Sequence, residues 1–200
     1  LPYEFWKDFA AIDNVVAIKI APFNRYDTLD VIRGVVDSGR ADEISLYTGN
    51  DDNIMEDVTT VYRVVGRDGK IHDVRIVGGL LGHWAVDTQV AVGLLGEAHE
   101  IFDNEADYSA AKLQKLRTIG TQVLDTNAAY FDSANGFAGC ILGLHEVLRQ
   151  QGLMTNNFTL NPDEVLADGQ KREITRVRMQ NPGLIDDEFV KEGLSRWLRD

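Results

Sequence analysis

Apolar and polar positions follow two patterns along this chain: short apolar runs near its beginning and helical spacing over most of the remainder. An apolar run over residues 14–22, rich in Val, Ile and Ala and containing one lysine, predicts a strand buried on both faces, as in parallel sheets. Further extended stretches are predicted at 43–48, 60–65 and 70–77. A turn at 66–69 connects the last two of them as a hairpin. Capping residues and periodicity predict helices over 2–12, 28–38, 54–58, 87–101, 108–131, 134–151, a short one from 162, 170–179 and from 186 onward.

The first strand carries one charged residue, Lys19. Side chains alternate along a strand, so Lys19 shares its face with small residues while the opposite face is entirely β-branched. This pattern is typical of a barrel strand whose bulky face packs on outer helices. A buried ammonium is costly, so Lys19 must be paired, solvated in a pocket or neutral. A lysine at the strand's end that extends its amine into solvent is the structural alternative.

Composition excludes several classes of function. The 200 residues are 44% hydrophobic and 26% charged, which predicts one globular unit with a sizeable core. A net charge of −12 argues against a nucleic-acid or anionic-membrane partner. The single cysteine, Cys140, excludes an internal disulfide and is interpreted as a small core residue in a reducing cytosol. Neither a membrane span nor a signal peptide is predicted, so a cytoplasmic location is expected.

The number of core strands raises a problem of closure. Three parallel strands cannot close a barrel, and they would leave two edges of unpaired backbone groups. The missing strands are therefore expected from a longer barrel protein of which this is the C-terminal part, or from a second copy. The absent initiator Met and the start in a helix favour the first.

A family resemblance bears on the question of the missing strands. Asn14-Val15-Val16-Ala17-Ile18-Lys19 resembles the sixth strand of the dihydrodipicolinate synthase / N-acetylneuraminate lyase family, where a strand of this form carries the Schiff-base lysine. Residues 46–51 resemble the end of the seventh strand, and residues 74–79 fall where the eighth is expected. Across most of the chain, the resemblance implies an α/β fold: the C-terminal portion of a (β/α)8 TIM barrel, strands six to eight, over 1–86, followed by a helical region over 87–200 packed on the barrel.

The chain also departs from the family pattern. A hairpin with a turn at Arg67-Asp68-Gly69 stands where the family has a helix between strands seven and eight. Residues 78–84 differ from the usual ending of the eighth strand. The first five strands, with the family's tyrosine proton relay and threonine pair, are not among these 200 residues. We therefore predict a divergent branch of this family, to which the substrates of the family cannot be transferred.

The resemblance implies a class I lyase or aldolase that acts on pyruvate or another 2-keto acid. Lys19 would be the catalytic nucleophile, near the carboxyl end of its strand, where barrel enzymes place their sites. No cofactor is expected, and the four scattered histidines have no metal-ligand spacing. The substrate-binding candidates, each with an ordinary turn, packing or salt-bridge alternative, are Thr48, Gly49, Asn50, Gly78, Gly79, His83 and Arg25.

Two other functions remain open at this point. The chain could belong to a barrel of the same ancestry that has lost catalysis and acts as a binding or structural protein. A weaker option is a barrel enzyme with different chemistry, such as isomerisation of a phosphate substrate at Gly78-Gly79. The expected partners are a small 2-keto acid, the N-terminal half of the barrel and further copies in a homo-oligomer, with no nucleic acid and no membrane.

Overall fold

The computed structural model describes residues 1–103, 110–161 and 163–198, which form a mixed α/β protein with one four-stranded sheet within these ranges. The helices are α1 (Tyr3–Ala10), α2 (Arg25–Asp37), α3 (Ile54–Thr59), α4 (Thr88–Asp103), α5 (Ala110–Tyr130), α6 (Cys140–Gln150), α7 (Asp168–Gln180) and α8 (Asp187–Trp197). The strands are β1 (Ala17–Ile20), β2 (Ser45–Thr48), β3 (Val61–Val65) and β4 (Ile71–Gly79).

The chain divides into two compact units, each made of two segments. Unit one contains residues 1–80 and 98–117, and unit two contains residues 81–97 and 118–200. Each unit is described by itself below. The predicted domain boundary after residue 86 is a different division and stays a prediction.

The sheet of unit one has the order β1-β2-β4-β3. Strands β1, β2 and β4 are parallel, and β3 pairs antiparallel with β4 as the predicted hairpin. The ladder between β2 and β4 is irregular between Leu46 and Tyr47. This bulge lets Tyr47 pair with Gly78, so residue 77 is left without a partner in the ladder.

The core of unit one lies on one face of the sheet. Ile18, Ile20 and Leu46 are each less than 5% exposed and pack with the apolar side of α2, represented by Ile32 and Val35. Burial of each such side chain contributes about 1.5–3 kcal/mol to folding. The opposite face is more open: the burial of β1 alternates strictly, with Ala17 and Lys19 exposed.

Helices α1 and α2 pack closely because of a glycine. A Cβ atom on Gly34 would lie 2.8 Å from Cβ of Trp6 and 2.9 Å from the backbone nitrogen of Lys7. Only a residue without a side chain allows this approach. Asn24 begins α2 by accepting a 3.0 Å hydrogen bond from the backbone N–H of Tyr26.

Unit two is built from helices and irregular segments. The structure differs from the sequence prediction in α6, which begins at Cys140 rather than near residue 134. The reason is local: Asp132, Gly136 and Phe137 have φ values of 57°, 62° and 68°, and left-handed residues interrupt a helix. Cys140 is half-buried rather than a core residue.

Two further helix predictions have mixed outcomes. Residues 163–167 contain no helix, so the predicted short helix is not formed there, and its start at Pro162 lies outside the described residues. The predicted start of the long helix at Tyr108 also lies outside them, and α5 is described from Ala110. In the described part of the chain, no helix combines the length and hydrophobicity needed to cross a membrane.

The coarse fold class predicted from the sequence, α/β, is confirmed, because parallel strands joined by a helix are present together with many further helices. The finer statement, that these strands are the last three of a TIM barrel, stays a prediction.

Candidate active site at the carboxyl ends of the parallel strands

Lys19 lies in β1 on the sheet face opposite the apolar core. Its neighbours Ile18 and Ile20 are 4% and 1% exposed and point into the core, whereas the Lys19 side chain is exposed. Lys19 is the penultimate residue of β1, a parallel strand. Alternation along β1, as predicted from the sequence, therefore separates the amine from the apolar side of the sheet.

The end of the Lys19 side chain lies against the backbone of β2's extension. A Cβ atom on Gly49 would lie only 2.7 Å from Cε of Lys19 and 3.1 Å from Cβ of Ala21. Gly49 is anchored by a 2.7 Å hydrogen bond from its N–H to the carbonyl oxygen of Ile20. Among the described residues, none forms a hydrogen bond or ion pair with the Lys19 amine.

A cavity of about 250 Å³ lies at the end of β1. It is bordered by the strand end, by α1 and by the first turns of α2. Its volume is below the range of roughly 300–1,000 Å³ usual for drug-sized ligands, and it suits a smaller molecule. The lining residues are Leu1, Trp6, Lys19, Ile20, Ala21, Pro22, Asp27 and Val31.

Three predicted site residues, Thr48, Asn50 and Arg25, converge on one buried carboxylate, that of Asp57. The Thr48 hydroxyl donates to Asp57 Oδ2 at 2.6 Å, and the Asn50 side-chain amide donates to the same oxygen at 3.1 Å. Arg25 forms a close ion pair with Asp57 Oδ1. In this structure these groups are directed to Asp57, and their predicted role in substrate binding stays a prediction.

The Asp57 cluster is deeply buried and well supplied with donors. Thr48, Asn50 and Asp57 are each 0% exposed. The Tyr62 hydroxyl donates to Asp57 Oδ1 at 2.9 Å and accepts from Arg25 at 3.2 Å. Burial, followed by the nearby negative charge of Asp57, raises the pKa of the Tyr62 phenol well above its ordinary value, so Tyr62 remains a donor.

The sequence analysis missed two residues of this cluster, Tyr62 and the central Asp57. A signal was available: Asp57 follows Ile54 and Met55 and precedes Val58 in a short helix that is otherwise mainly apolar. An acidic residue at a core-facing position must have donors around it.

The two glycines at the end of β4 have different surroundings. A Cβ atom on Gly78 would meet the ring of Tyr47 at 2.9 Å, so Gly78 provides space for that ring. A Cβ atom on Gly79 would lie 2.8 Å from Cδ1 of Ile54, so Gly79 serves close packing against α3. Both glycines stay candidates for substrate contact through their backbone.

His83 belongs to unit two, where it forms part of a separate buried cluster. It is 1% exposed, and its Nδ1 donates to Asn127 Oδ1 at 2.8 Å. Its Nε2 is 3.5 Å from Asp87 Oδ2 and has no hydrogen bond within the described structure. The ring packs against that of Tyr130, with centroids 4.8 Å apart. These contacts favour a packing role, while its predicted catalytic or substrate role stays a prediction.

Asp87 is the centre of that second cluster. Its carboxylate accepts from the Tyr130 hydroxyl at 3.1 Å and from the backbone N–H of Asp186 at 3.0 Å, and it lies 3.7 Å from the Arg178 guanidinium. Burial and the negative charge of Asp87 raise the pKa of Tyr130 well above its ordinary value. The cluster ties the start of α4 to α5 and to the segment before α8.

No group of three or more His, Cys, Asp and Glu side chains within the described ranges is arranged to hold a metal ion. Comparison of the sequence with protein-family models and with curated proteins found no match.

Proposed function

We propose that the protein is a class I lyase or aldolase in which Lys19 forms an imine with pyruvate or another 2-keto acid. The observation that carries this proposal is the position of Lys19 at the carboxyl end of a parallel strand, with its exposed side chain over Gly49 and with no ion-pair partner for its amine within the described ranges. Enzymes built on parallel sheets use this end of their strands for chemistry.

The chemistry requires only this amine at its first stage. The nitrogen lone pair of Lys19 attacks the keto carbon, and the carbonyl oxygen becomes a hydroxyl. Loss of this hydroxyl as water leaves a carbon–nitrogen double bond. The protonated imine then withdraws electrons from the adjacent carbon, so that a carbon–carbon bond at that carbon can break or form.

Trapping with borohydride tests the proposal. Reduction of the imine fixes the keto acid on the lysine, and intact mass followed by peptide mapping identifies the modified residue. We expect a pyruvyl adduct on Lys19 that is absent in Lys19→Ala. Lys70→Ala is the matched control, because Lys70 is an exposed lysine in the β3–β4 turn, and it should keep the full adduct.

The contradicting outcome is equally specific. If pyruvate and a panel of other 2-keto acids leave Lys19 unmodified in the full chain, the lyase proposal fails.

A second candidate function is a non-catalytic binding or structural protein of the same ancestry. The observation that favours it is the commitment of Arg25, Thr48 and Asn50 to Asp57, which directs three predicted substrate ligands away from Lys19. This function predicts that borohydride traps no adduct with any 2-keto acid. The same trapping experiment therefore separates the two candidates.

A further inference from the structure

The cavity at the end of β1 lies beside the end of the Lys19 side chain. Lys19 and Ala21 both line this space of about 250 Å³. Cε of Lys19 and Cβ of Ala21 also lie on either side of one point, the place that a Cβ atom on Gly49 would take, at 2.7 and 3.1 Å from it. An imine on the Lys19 amine therefore forms next to this cavity.

The walls of the cavity are mainly apolar. Side chains from α1, β1 and α2 form them, namely Trp6, Ile20, Ala21, Pro22 and Val31. The indole ring of Trp6 is held by edge-on contacts with the rings of Phe5 and Phe9, whose centroids are 5.1 and 6.3 Å away. A methyl group is about as large as a water molecule, roughly 30 Å³, so the methyl group of pyruvate would fill only a small part of the space.

Asp27 brings a carboxylate to the same cavity. It lies in the first turn of α2 and is half-buried. In the part of the chain that the structure describes, no side chain or backbone group forms a hydrogen bond or an ion pair with this carboxylate. An acidic residue in the first turn of a helix stabilises the helix, and that role does not require it to face a cavity. A second negative charge inside the cavity would be repelled by Asp27.

We propose that this cavity is the specificity pocket of the Lys19 site, and that it selects 2-keto acids with a single carboxylate and an uncharged side chain longer than a methyl group. The inference rests on the proposed function, because it names the substrate class of that same site. The side chain of the substrate packs against Trp6, Ile20 and Val31, while its carboxylate stays outside the cavity. Asp27 rejects keto acids whose side chain ends in a second carboxylate.

Trapping rates with three keto acids test the selection in the full chain. Pyruvate, 2-oxohexanoate and 2-oxoglutarate are supplied at equal concentration, and the rate at which borohydride fixes each on Lys19 is measured. One added methylene in an apolar pocket typically changes a rate about 10–200-fold, so 2-oxohexanoate should react at least about tenfold faster than pyruvate. 2-Oxoglutarate has a chain of similar length that ends in a carboxylate, and it should react at least about tenfold more slowly than 2-oxohexanoate.

Asp27→Asn tests the origin of the charge selection, because it removes the charge and keeps the shape of the side chain. The ratio of the 2-oxoglutarate rate to the 2-oxohexanoate rate should rise about tenfold. A ratio within one variant does not change when less protein is folded or when the amine is less reactive. Asp30→Asn is the matched control, because Asp30 lies on the same helix, pairs with Arg33 at 3.3 Å and does not line the cavity. It should keep the wild-type ratio.

Ala21→Leu tests the size selection by filling the cavity from the exposed end of β1. The ratio of the 2-oxohexanoate rate to the pyruvate rate should fall about tenfold, because the longer side chain loses its space. Ala17→Leu is the control. Ala17 is exposed on the same strand and does not line the cavity, so this variant should keep the wild-type ratio.

The outcomes separate this inference from the proposed function. If the wild-type chain forms the Lys19 adduct with all three keto acids at rates within about twofold, the pocket assignment is wrong while the lyase proposal stands. Ratios that stay at the wild-type value in Asp27→Asn and in Ala21→Leu also overturn the assignment. If no keto acid is trapped on Lys19, the proposed function fails, and the specificity pocket fails with it.

Discussion

The Thr48 hydroxyl donates a 2.6 Å hydrogen bond to the Asp57 carboxylate, although both side chains are completely buried. This bond joins the end of β2 to α3. The same carboxylate pairs with Arg25 at the start of α2 and accepts from Tyr62 in β3. One acidic side chain therefore holds four elements of unit one beside the carboxyl ends of the parallel strands.

Replacement of Asp57 by Ala should destabilise unit one strongly. The variant leaves the Thr48 and Asn50 donors unsatisfied in the interior and removes the counter-charge of Arg25, which is itself partly exposed. Losses of this type cost about 3 kcal/mol in free energy of unfolding. Urea unfolding followed by circular dichroism measures the change. Asp52→Ala, in an exposed turn, is the control and should unfold as wild type does. An unchanged urea midpoint for Asp57→Ala would contradict the structural role described for the cluster.

Replacement of Gly49 by Ala should displace Lys19 without unfolding the protein. The added Cβ would meet the flexible end of a lysine, which moves at little cost, and the nearest other side-chain atom is 3.1 Å away. We expect the rate of adduct trapping to fall about tenfold, equivalent to about 1.4 kcal/mol. Gly49 is buried and the Ala21 Cβ at 3.1 Å must shift by a few tenths of an ångström, so we expect the free energy of unfolding to fall by about 1 kcal/mol.

Gly96→Ala is the control for that experiment. Gly96 lies in α4 with open space around its Cα, so the change should leave trapping intact and add up to about 1 kcal/mol of stability through helix propensity. Trapping at the wild-type rate in Gly49→Ala would show that the amine does not depend on the space above residue 49.

Asp87 should tolerate Asn better than Ala. Its φ of 49° is left-handed, a conformation that Asn adopts more readily than Ala does. In the wild type, Tyr130 donates to Asp87 Oδ2 and the Asp186 N–H donates to Oδ1. Asn keeps one oxygen and so retains one of these two acceptors, whereas Ala removes both of them and also the counter-charge of Arg178. We expect a loss of about 1–2 kcal/mol for Asp87→Asn and about 3 kcal/mol or more for Asp87→Ala. Thermal or urea unfolding of the two variants checks the order, and equal losses would argue against the cluster.

Glu146 should contribute stability that depends on pH. It is 1% exposed, and hydrogen bonds from the Arg149 guanidinium lower its pKa below the ordinary value of 4.5, more than burial raises it. A lowered pKa in the folded state gives a stabilisation that is present above pH 4.5 and is lost as the pH falls through the folded-state value. We expect Glu146→Gln to lose about 1 kcal/mol at pH 7, because Arg149 is partly exposed to solvent.

Unfolding of wild type and Glu146→Gln at pH 7 and at pH 3 provides the measurement. The difference between the two proteins should be smaller at pH 3 than at pH 7, because the stabilisation from a lowered pKa is lost progressively as the pH falls below 4.5. Glu188→Gln is the control, because Glu188 is exposed on α8, and it should show little difference at either pH. A difference that stays constant with pH would show that the Glu146 charge is not responsible.

Much of unit one could be predicted from local patterns. The strands β1, β2 and β4, the hairpin before β4 and the helix between β1 and β2 follow from apolar runs, turn residues and caps that lie within a few residues of each other. The face of Lys19 follows from alternation alone. Where left-handed residues interrupt a helix, as before α6, the helical periodicity continues across the break and the prediction placed the helix start too early.

What each functional side chain contacts was decided only by the tertiary structure. Arg25 contacts Asp57 from 32 residues away in the sequence, and Tyr62 contacts it from 5 residues away. Both contacts exist because the packing of α2 and β3 brings these side chains to α3. The Tyr47–Gly78 contact likewise depends on one bulge in a ladder between distant strands. A buried carboxylate must accept hydrogen bonds from several donors. A local sequence pattern can indicate that a carboxylate is buried, but it does not identify the residues that donate to it. The sequence therefore determined the strand and the sheet face of Lys19, whereas the fold decided that Thr48, Asn50 and Arg25 contact Asp57 and that the Tyr47 ring lies against Gly78.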